Sequence, residues 1–228
     1  MTTPGFILFD MDGTLLDTLG DIAGSVNQVL SAHGLPTHDD DAYRLFVGDG
    51  IGRLVERAIG PGQGQVDVAR LTQEMRGVYA GRWADQSRCY PAIPAALDRL
   101  VAAGVPMGIL SNKPHDFTVA MAQHFLARWP FLQVRGQMDG VPPKPDPQAA
   151  LEMLAAADVE PSRAWVVGDT RIDVETGQRA GMVSVGVTWG FRGEAELRAA
   201  GADHVLHDPA ALADLVLSAP FSAPWVRS

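Results

Sequence analysis

An unbroken apolar run, Phe6-Ile7-Leu8-Phe9, opens the patterned part of the chain and stops at Asp10-Met11-Asp12-Gly13-Thr14. A short apolar run ended by a turn residue reads as a buried strand. After Asp17 the period lengthens. Ile22, Val26, Val29 and Leu30 recur at helical spacing until Gly34-Leu35-Pro36. Ile51, Leu54, Val55, Ala58 and Ile59 mark a second helix closed by Gly60-Pro61-Gly62, and Val68, Leu71, Met75 and Val78 a third. Residues 17–87 therefore read as an all-helical block. From Tyr90 onward helices and strands alternate. Helices are expected over 95–103 (Pro94 before it, Gly104 after), 117–125, 148–156 and 174–180. Strands are expected over 107–110, 132–134, 164–167, 183–187 and 204–206. This alternation predicts an α/β fold, a Rossmann-like parallel sheet with helices on both faces. Residues 1–16 and 88–228 form that core. Residues 17–87 are an inserted helical cap domain, expected over the C-terminal edge of the sheet.

Composition narrows the classes. The chain has 228 residues, of which 46% are hydrophobic and 20% charged, as in a soluble globular protein. Its net charge is −9 and no Lys/Arg cluster is present, which argues against nucleic acid and against an anionic membrane surface. A phosphate site in such a field needs its own local cations. Cys89 is the only cysteine, so no internal disulfide and no thiolate metal cluster can form; it reads as a small buried hydrophobe. The six histidines are scattered and read as structural or solvated. With no signal segment recognised and no run long enough to span a bilayer, a cytoplasmic location is expected. The last stretch, 219–228, with Pro220 and Pro224, is expected to be loosely held.

The candidate chemistry sits at strand ends. Side chains alternate along a strand, so Asp10 and Asp12 fall on one side of the chain. They lie at the C-terminal end, where open α/β sheets bind ligands. Two carboxylates with a hydroxyl beside them suit a magnesium site and covalent chemistry on a carboxylate. Further polar groups follow later strands: Ser111-Asn112-Lys113-Pro114, then Lys144-Pro145-Asp146-Pro147, then Gly168-Asp169-Thr170 with Asp173. Each alone has a bland reading as a helix cap, a solvated lysine or a turn residue. In a parallel sheet the strand ends are neighbours, so Asp10, Asp12, Ser111, Lys144 and Asp169 are expected to converge.

Asp10-Met11-Asp12-Gly13-Thr14, Ser111-Asn112, Lys144-Pro145 and Gly168-Asp169-Thr170…Asp173 resemble the four motifs of the haloacid dehalogenase superfamily, and the likeness extends to the helical insertion after the first strand. Members with dehalogenase activity lack the second Asp and phosphonate-cleaving members replace it, so Asp12 favours the phosphatase and phosphomutase branches. The resemblance implies that Asp10 attacks phosphorus to give an aspartyl-phosphate, and that Asp12 protonates the leaving alkoxide and later deprotonates water. It implies Mg²⁺ as cofactor, held by the Asp10 carboxylate, the Asp12 backbone carbonyl and Asp169, with Asp173 orienting that set. Ser111, the Asn112 backbone and Lys144 would hold the phosphoryl oxygens.

Within the insertion, Arg44-Leu45-Phe46-Val47-Gly48-Asp49-Gly50 followed by Arg53-Leu54-Val55-Glu56-Arg57-Ala58 resembles the cap of phosphoglycolate phosphatases; a Gly turn opening an amphipathic helix is the plain alternative. Gly48 and Gly50 would let backbone N–H groups approach a small anion. Arg44, Arg53 or Arg57 would meet a carboxylate, with Gly50 and Arg53 the leading choices, while Asp49 counts against an acidic leaving group. The expected activity is magnesium-dependent hydrolysis of a small phosphorylated metabolite, 2-phosphoglycolate first, by a monomer or homodimer. Another small phosphate (a sugar phosphate or pyrophosphate) is the alternative. A phosphomutase lacks a basic cluster for its second phosphate, and a signalling receiver is about half this length with no cap.

Overall fold

The computed structural model describes residues 4–61 and 66–218. Strand β1 (Phe6–Phe9) leads into β2 (Leu16–Asp17) and then into four helices, α1 (Leu19–Ala32), α2 (Asp40–Phe46), α3 (Ile51–Ile59) and α4 (Val68–Ala80). The chain returns through β3 (Arg88–Cys89) and α5 (Ile93–Ala102). It then alternates: β4 (Met107–Pro114), α6 (His115–Phe125), β5 (Phe131–Gln137), α7 (Gln148–Ala156), β6 (Ala164–Gly168), α8 (Arg171–Ala180), β7 (Val183–Val187), α9 (Glu194–Ala199), β8 (His204–Leu206) and α10 (Ala211–Ser218).

Six of the strands form one parallel sheet in the order β5-β4-β1-β6-β7-β8. The chain runs outward from β1 through β4 to β5, then returns to build β6, β7 and β8 on the other side. Neighbouring crossovers thus depart in opposite directions at the C-terminal end of β1, which opens a crevice there. All four residues of β1 are buried, and they alternate between layers. Ile7 and Phe9 pack with Leu97, Met121 and Leu212, from α5, α6 and α10. Phe6 and Leu8 pack with Ala150, Met153 and Ala180, from α7 and α8.

The helices between β2 and β3 have an apolar cluster of their own, to which the sheet layer contributes Phe117 and Phe191. The two connections to this block are tied together. β2 and β3 pair antiparallel, Leu16 with Cys89 and Asp17 with Arg88. Just beyond, the buried Asp21 carboxylate accepts from the Gln86 and Ser87 N–H groups and from Ser87 Oγ. A buried carboxylate satisfied by several donors holds its segments in one register.

The pattern reading missed α2, α9, α10 and the β2–β3 ribbon. α2 and α9 bury one side chain each, Tyr43 and Leu197, and the ribbon strands have two residues apiece, so neither shows a period. The expectation for 219–228 lies outside the described residues.

Candidate active site

Asp10 follows β1 directly, and its N–H still donates to Val167 O at 2.9 Å, which fixes it on the seam between β1 and β6. The chain then turns sharply through Gly13, at φ +84°, where a side chain would collide with the Asp169 carboxylate. That turn brings Asp12 back beside Asp10. The Asp12 carboxylate accepts from Thr18 Oγ1 at 2.8 Å and from Lys113 Nζ at 3.0 and 3.2 Å.

Lys144 lies beneath this pair. Its ammonium donates to Asp10 Oδ1 (2.9 Å), Asp173 Oδ1 (2.6 Å) and Leu110 O (2.8 Å), so all three of its hydrogens have acceptors. Asn112 holds the Lys144 backbone from both sides: its side-chain oxygen accepts from Lys144 N, and its amide donates to Lys144 O and to Gly48 O of the helical block. Asp173 is placed by local sequence. Thr170 and Asp173 form a capping box that starts α8, and Asp173 Oδ2 accepts from Thr170 N and Oγ1. One carboxylate therefore caps a helix and aims the lysine.

Asp169 is fully buried, accepting from Thr14 Oγ1 at 3.2 Å and Phe191 N at 2.7 Å. Burial pushes the Asp10 carboxyl up to about 6; Lys144 pulls it down, and Asp173 and Asp12 push it further up. Asp169 is raised well above the usual carboxylate range, first by burial and then by the charges of Asp10 and Asp173. For Lys144 burial opposes the charge, but Asp10 and Asp173 outweigh it and hold the ammonium above the ordinary lysine range. The carboxylates thus carry more negative charge than the lysines offset. Asp10, Asp169 and Asp173 offer oxygens within 4.8 Å of one another. Asp173 already carries the Lys144 cation, whereas Asp169 accepts one neutral donor at each oxygen and Asp10 Oδ2 accepts none among the described residues, so these two carboxylates keep lone pairs for an ion. An all-oxygen set crowded with negative charge fits a hard divalent cation.

A cavity of about 60 Å³ separates this floor from the helical block. Asp10, Asp12, Ser111, Asn112, Lys144 and Asp173 line its floor, and Gly50 its roof. The rest of the roof is apolar, with Ile22, Val47, Leu54 and Met75 beside Phe117 and Phe191. Gly50 has φ +87°, and a Cβ there would come 3.5 Å from Asn112 O, so the turn lies close against the motif strand.

Arg53 is placed elsewhere. It does not line the cavity; its exposed guanidinium pairs with Glu56 at 2.6 Å. The reason is helical phase, since α3 buries Leu54, Val55, Ala58 and Ile59 and turns Arg53 to solvent. Arg44 donates to Gly190 O, and Arg57 donates to Phe46 O and pairs with Asp49. Asp49 is thereby neutralised outside this cavity. The residue that sequence reasoning passed over is Lys113, which it noted but gave no part in the chemistry. A signal was available. The chain has 16 arginines and only 2 lysines, Lys113 and Lys144, and both line the same cavity.

Fold and site together define a doubly wound α/β protein with a carboxylate-lined site beneath a helical insertion. Residues 7–187 match the haloacid dehalogenase-like hydrolase model, and the chain belongs to that family. A relative from Psychrobacter arcticus, named phosphoglycolate phosphatase, is 31% identical over 93% of this chain and 96% of its own. Another from Pseudomonas aeruginosa, named N-acetylmuramic acid 6-phosphate phosphatase, is 33% identical over 92% and 93%. A crystal structure from Lactobacillus delbrueckii subsp. bulgaricus shares the fold with a TM-score of 0.87 at 24% identity, over 94% of this chain and 99% of that one.

Proposed function

We propose that this protein hydrolyses small phosphomonoesters through an aspartyl-phosphate on Asp10. The observation that carries the reading is the pairing of two carboxylates with different surroundings at the cavity floor. Asp10 Oδ1 is held by Lys144, while among the described residues nothing donates to Oδ2. That oxygen is the nucleophile. Asp12, held by Thr18 and Lys113 on the opposite side, is the acid that protonates the departing alkoxide and the base that then activates water. Ser111 lies in the cavity wall beside Asn112, where its hydroxyl meets a phosphoryl oxygen. Lys144 lends charge that offsets the crowding of Asp10, Asp173 and phosphate.

Mg²⁺ is the cation that fits: the Asp10 and Asp169 carboxylates with the Asp12 carbonyl would hold it, and it would supply positive charge beside the transferring phosphoryl group. The helical block acts as a lid over the floor and keeps bulk water from the covalent intermediate. The core is 1–16 with 88–228, and the lid 17–87. No described helix is long and apolar enough to cross a membrane, and the reading places the enzyme in the cytoplasm. The reading is of a monomer or a homodimer.

2-Phosphoglycolate is the leading substrate. A water occupies roughly 10–15 Å³ on the same measure, so about 60 Å³ admits on the order of five water-sized groups. That favours a small leaving group over a bulky one. The Psychrobacter relative's name supports this choice, and the Pseudomonas relative's name keeps a sugar phosphate as the second reading. A panel of phosphomonoesters ranked by kcat/KM in magnesium tests it. 2-Phosphoglycolate should lead; N-acetylmuramic acid 6-phosphate in first place would replace it.

A further inference from the structure

We propose that Lys113 reads the substrate's carboxylate, and so selects esters in which a carboxylate lies one carbon beyond the ester carbon. The inference rests on the reading of the site as a phosphomonoesterase.

It starts from charge. Lys113 and Lys144 are the cations among the described residues lining the cavity. The donors of Lys144 are taken by Asp10, Asp173 and Leu110 O. Arg44, Arg53 and Arg57 are engaged outside the cavity. An anionic group on the leaving side therefore has Lys113 to meet. Lys113 Nζ directs donors at one carboxylate, Asp12, and rests 4.6 Å from the centre of the Tyr79 ring, on α4 of the lid. The ammonium thus has an aromatic ring on one side, a neighbour beside which a carboxylate can also be bound.

Position agrees with charge. Asp12 meets the leaving oxygen, and the Lys113 ammonium is 3.0 Å from Asp12. In 2-phosphoglycolate the carboxylate is joined to the ester oxygen through a single methylene. Asp12, Lys113, carboxylate and leaving oxygen then close a ring of contacts, each at hydrogen-bond or covalent range. A longer leaving group would pass Lys113 and run against Ile22, Leu54 and Met75, which offer hydroxyls no partner. Residue choice points the same way. Lysine is a compact charge with rotatable donors, whereas arginine presents a planar fork. In a chain with 16 arginines, the lysine stands at this position.

The test uses 2-phosphoglycolate, its methyl ester and ethyl phosphate. Wild-type enzyme should favour the acid over both neutral substrates by on the order of 10- to 100-fold in kcat/KM, the range of a charged hydrogen bond. In Lys113→Met all rates fall, because Asp12 loses its partner, but the acid-to-ethyl ratio should drop to within about three-fold. Lys113→Arg should give an intermediate ratio. The methyl ester arm needs no variant and stands if Lys113→Met fails to fold. Wild-type enzyme that treats acid and methyl ester within three-fold overturns the proposal. So does a folded Lys113→Met enzyme with the wild-type ratio, which would make Lys113 only the positioning partner of Asp12. Absence of turnover on every phosphomonoester would overturn the phosphatase reading itself, and this proposal with it.

Discussion

The floor and the roof of the cavity are built on opposite principles. On the floor, Asp10, Asp12, Asp169 and Asp173 are buried or nearly so, and each is held by named donors to within about 3.2 Å. On the roof, Ile22, Val47, Leu54 and Met75 present hydrocarbon, and the arginines turn away. The floor's order comes from a stiff parallel sheet whose strand ends converge. The roof is an insertion joined through a two-residue ribbon on each side. On the proposed reading, the sheet fixes the reaction and what is laid over it chooses the leaving group. Among the groups that span the boundary, two line the cavity beside the carboxylates: Asn112, bonded to Gly48, and Lys113, bonded to Asp12 and set against the Tyr79 ring.

If the floor alone performs phosphoryl transfer, its loss should be absolute and independent of substrate. Asp10→Asn should lower kcat by roughly four orders of magnitude or more on every ester, with the circular dichroism spectrum retained. Sustained turnover by that variant in magnesium would show that Asp10 is not the nucleophile. Asp12→Asn separates the two halves further. Acid catalysis contributes about 10²- to 10⁴-fold, and a nitrophenolate leaves without it. The burst of the first turnover should therefore slow sharply on 2-phosphoglycolate and much less on p-nitrophenyl phosphate, while steady turnover falls on both because Asp12 also activates the water. Equal losses in the burst rate on both would remove Asp12 from the protonation step.

The floor also predicts a coupling of metal to pH. Asp10 is raised from an ordinary 3.8 to about 6, and Asp169 is raised as well. A carboxyl raised on folding binds its proton more tightly in the folded chain. Its contribution to stability is full below its unfolded value and is lost as pH rises through its folded value. The metal-free protein therefore carries unrelieved negative charge at neutral pH, which a divalent cation offsets. Magnesium should raise the melting temperature more at pH 7.5 than at pH 5, because protons compete for the same oxygens at the lower pH. At limiting magnesium the rate should decline below about pH 6, and added magnesium should move that limb to lower pH. A magnesium-induced shift of equal size at both pH values would contradict the assignment of Asp10 and Asp169 as the ion's ligands.

The floor was far more legible in the sequence than the roof. Its residues are set by short local rules: an apolar run that ends at Asp10, a glycine that turns the chain, a Thr170–Asp173 capping box. Each rule acts within a few residues, and the parallel sheet does the rest. The roof depends on which way helices face, and α2, with one buried side chain, leaves no period to read. The ribbon is too short for alternation. Lys113 lay in plain view beside Asn112, but its meaning depends on Tyr79, 34 positions earlier in the chain, and no local pattern joins the two. Arg53 is different, because its place was legible. The stripe Ile51, Leu54, Val55, Ala58 that announced the helix already put position 53 on the other face. The likeness of the segment to a substrate-binding cap outweighed that phase, and the phase was the better guide.

The smallest effect belongs to that residue, and it sharpens the comparison most. If the roof selects by its apolar lining and by Lys113 at the boundary, a roof cation pointing to solvent should count for little. Arg53 pairs with Glu56 three residues on, and both side chains are more than half exposed, at 66% and 53%. Exposed pairs of this kind contribute little and are screened by salt. Arg53→Ala should change kcat/KM on 2-phosphoglycolate by less than about two-fold, and by the same factor on ethyl phosphate. Alanine also suits a helix interior, so the melting temperature should hold. A selective loss on the acid, ten-fold or more while ethyl phosphate is untouched, would mean that α3 rotates when substrate binds and brings Arg53 inward. The roof would then read charge through its own arginine, and the division between a floor that reacts and a roof that supplies shape would have to be redrawn.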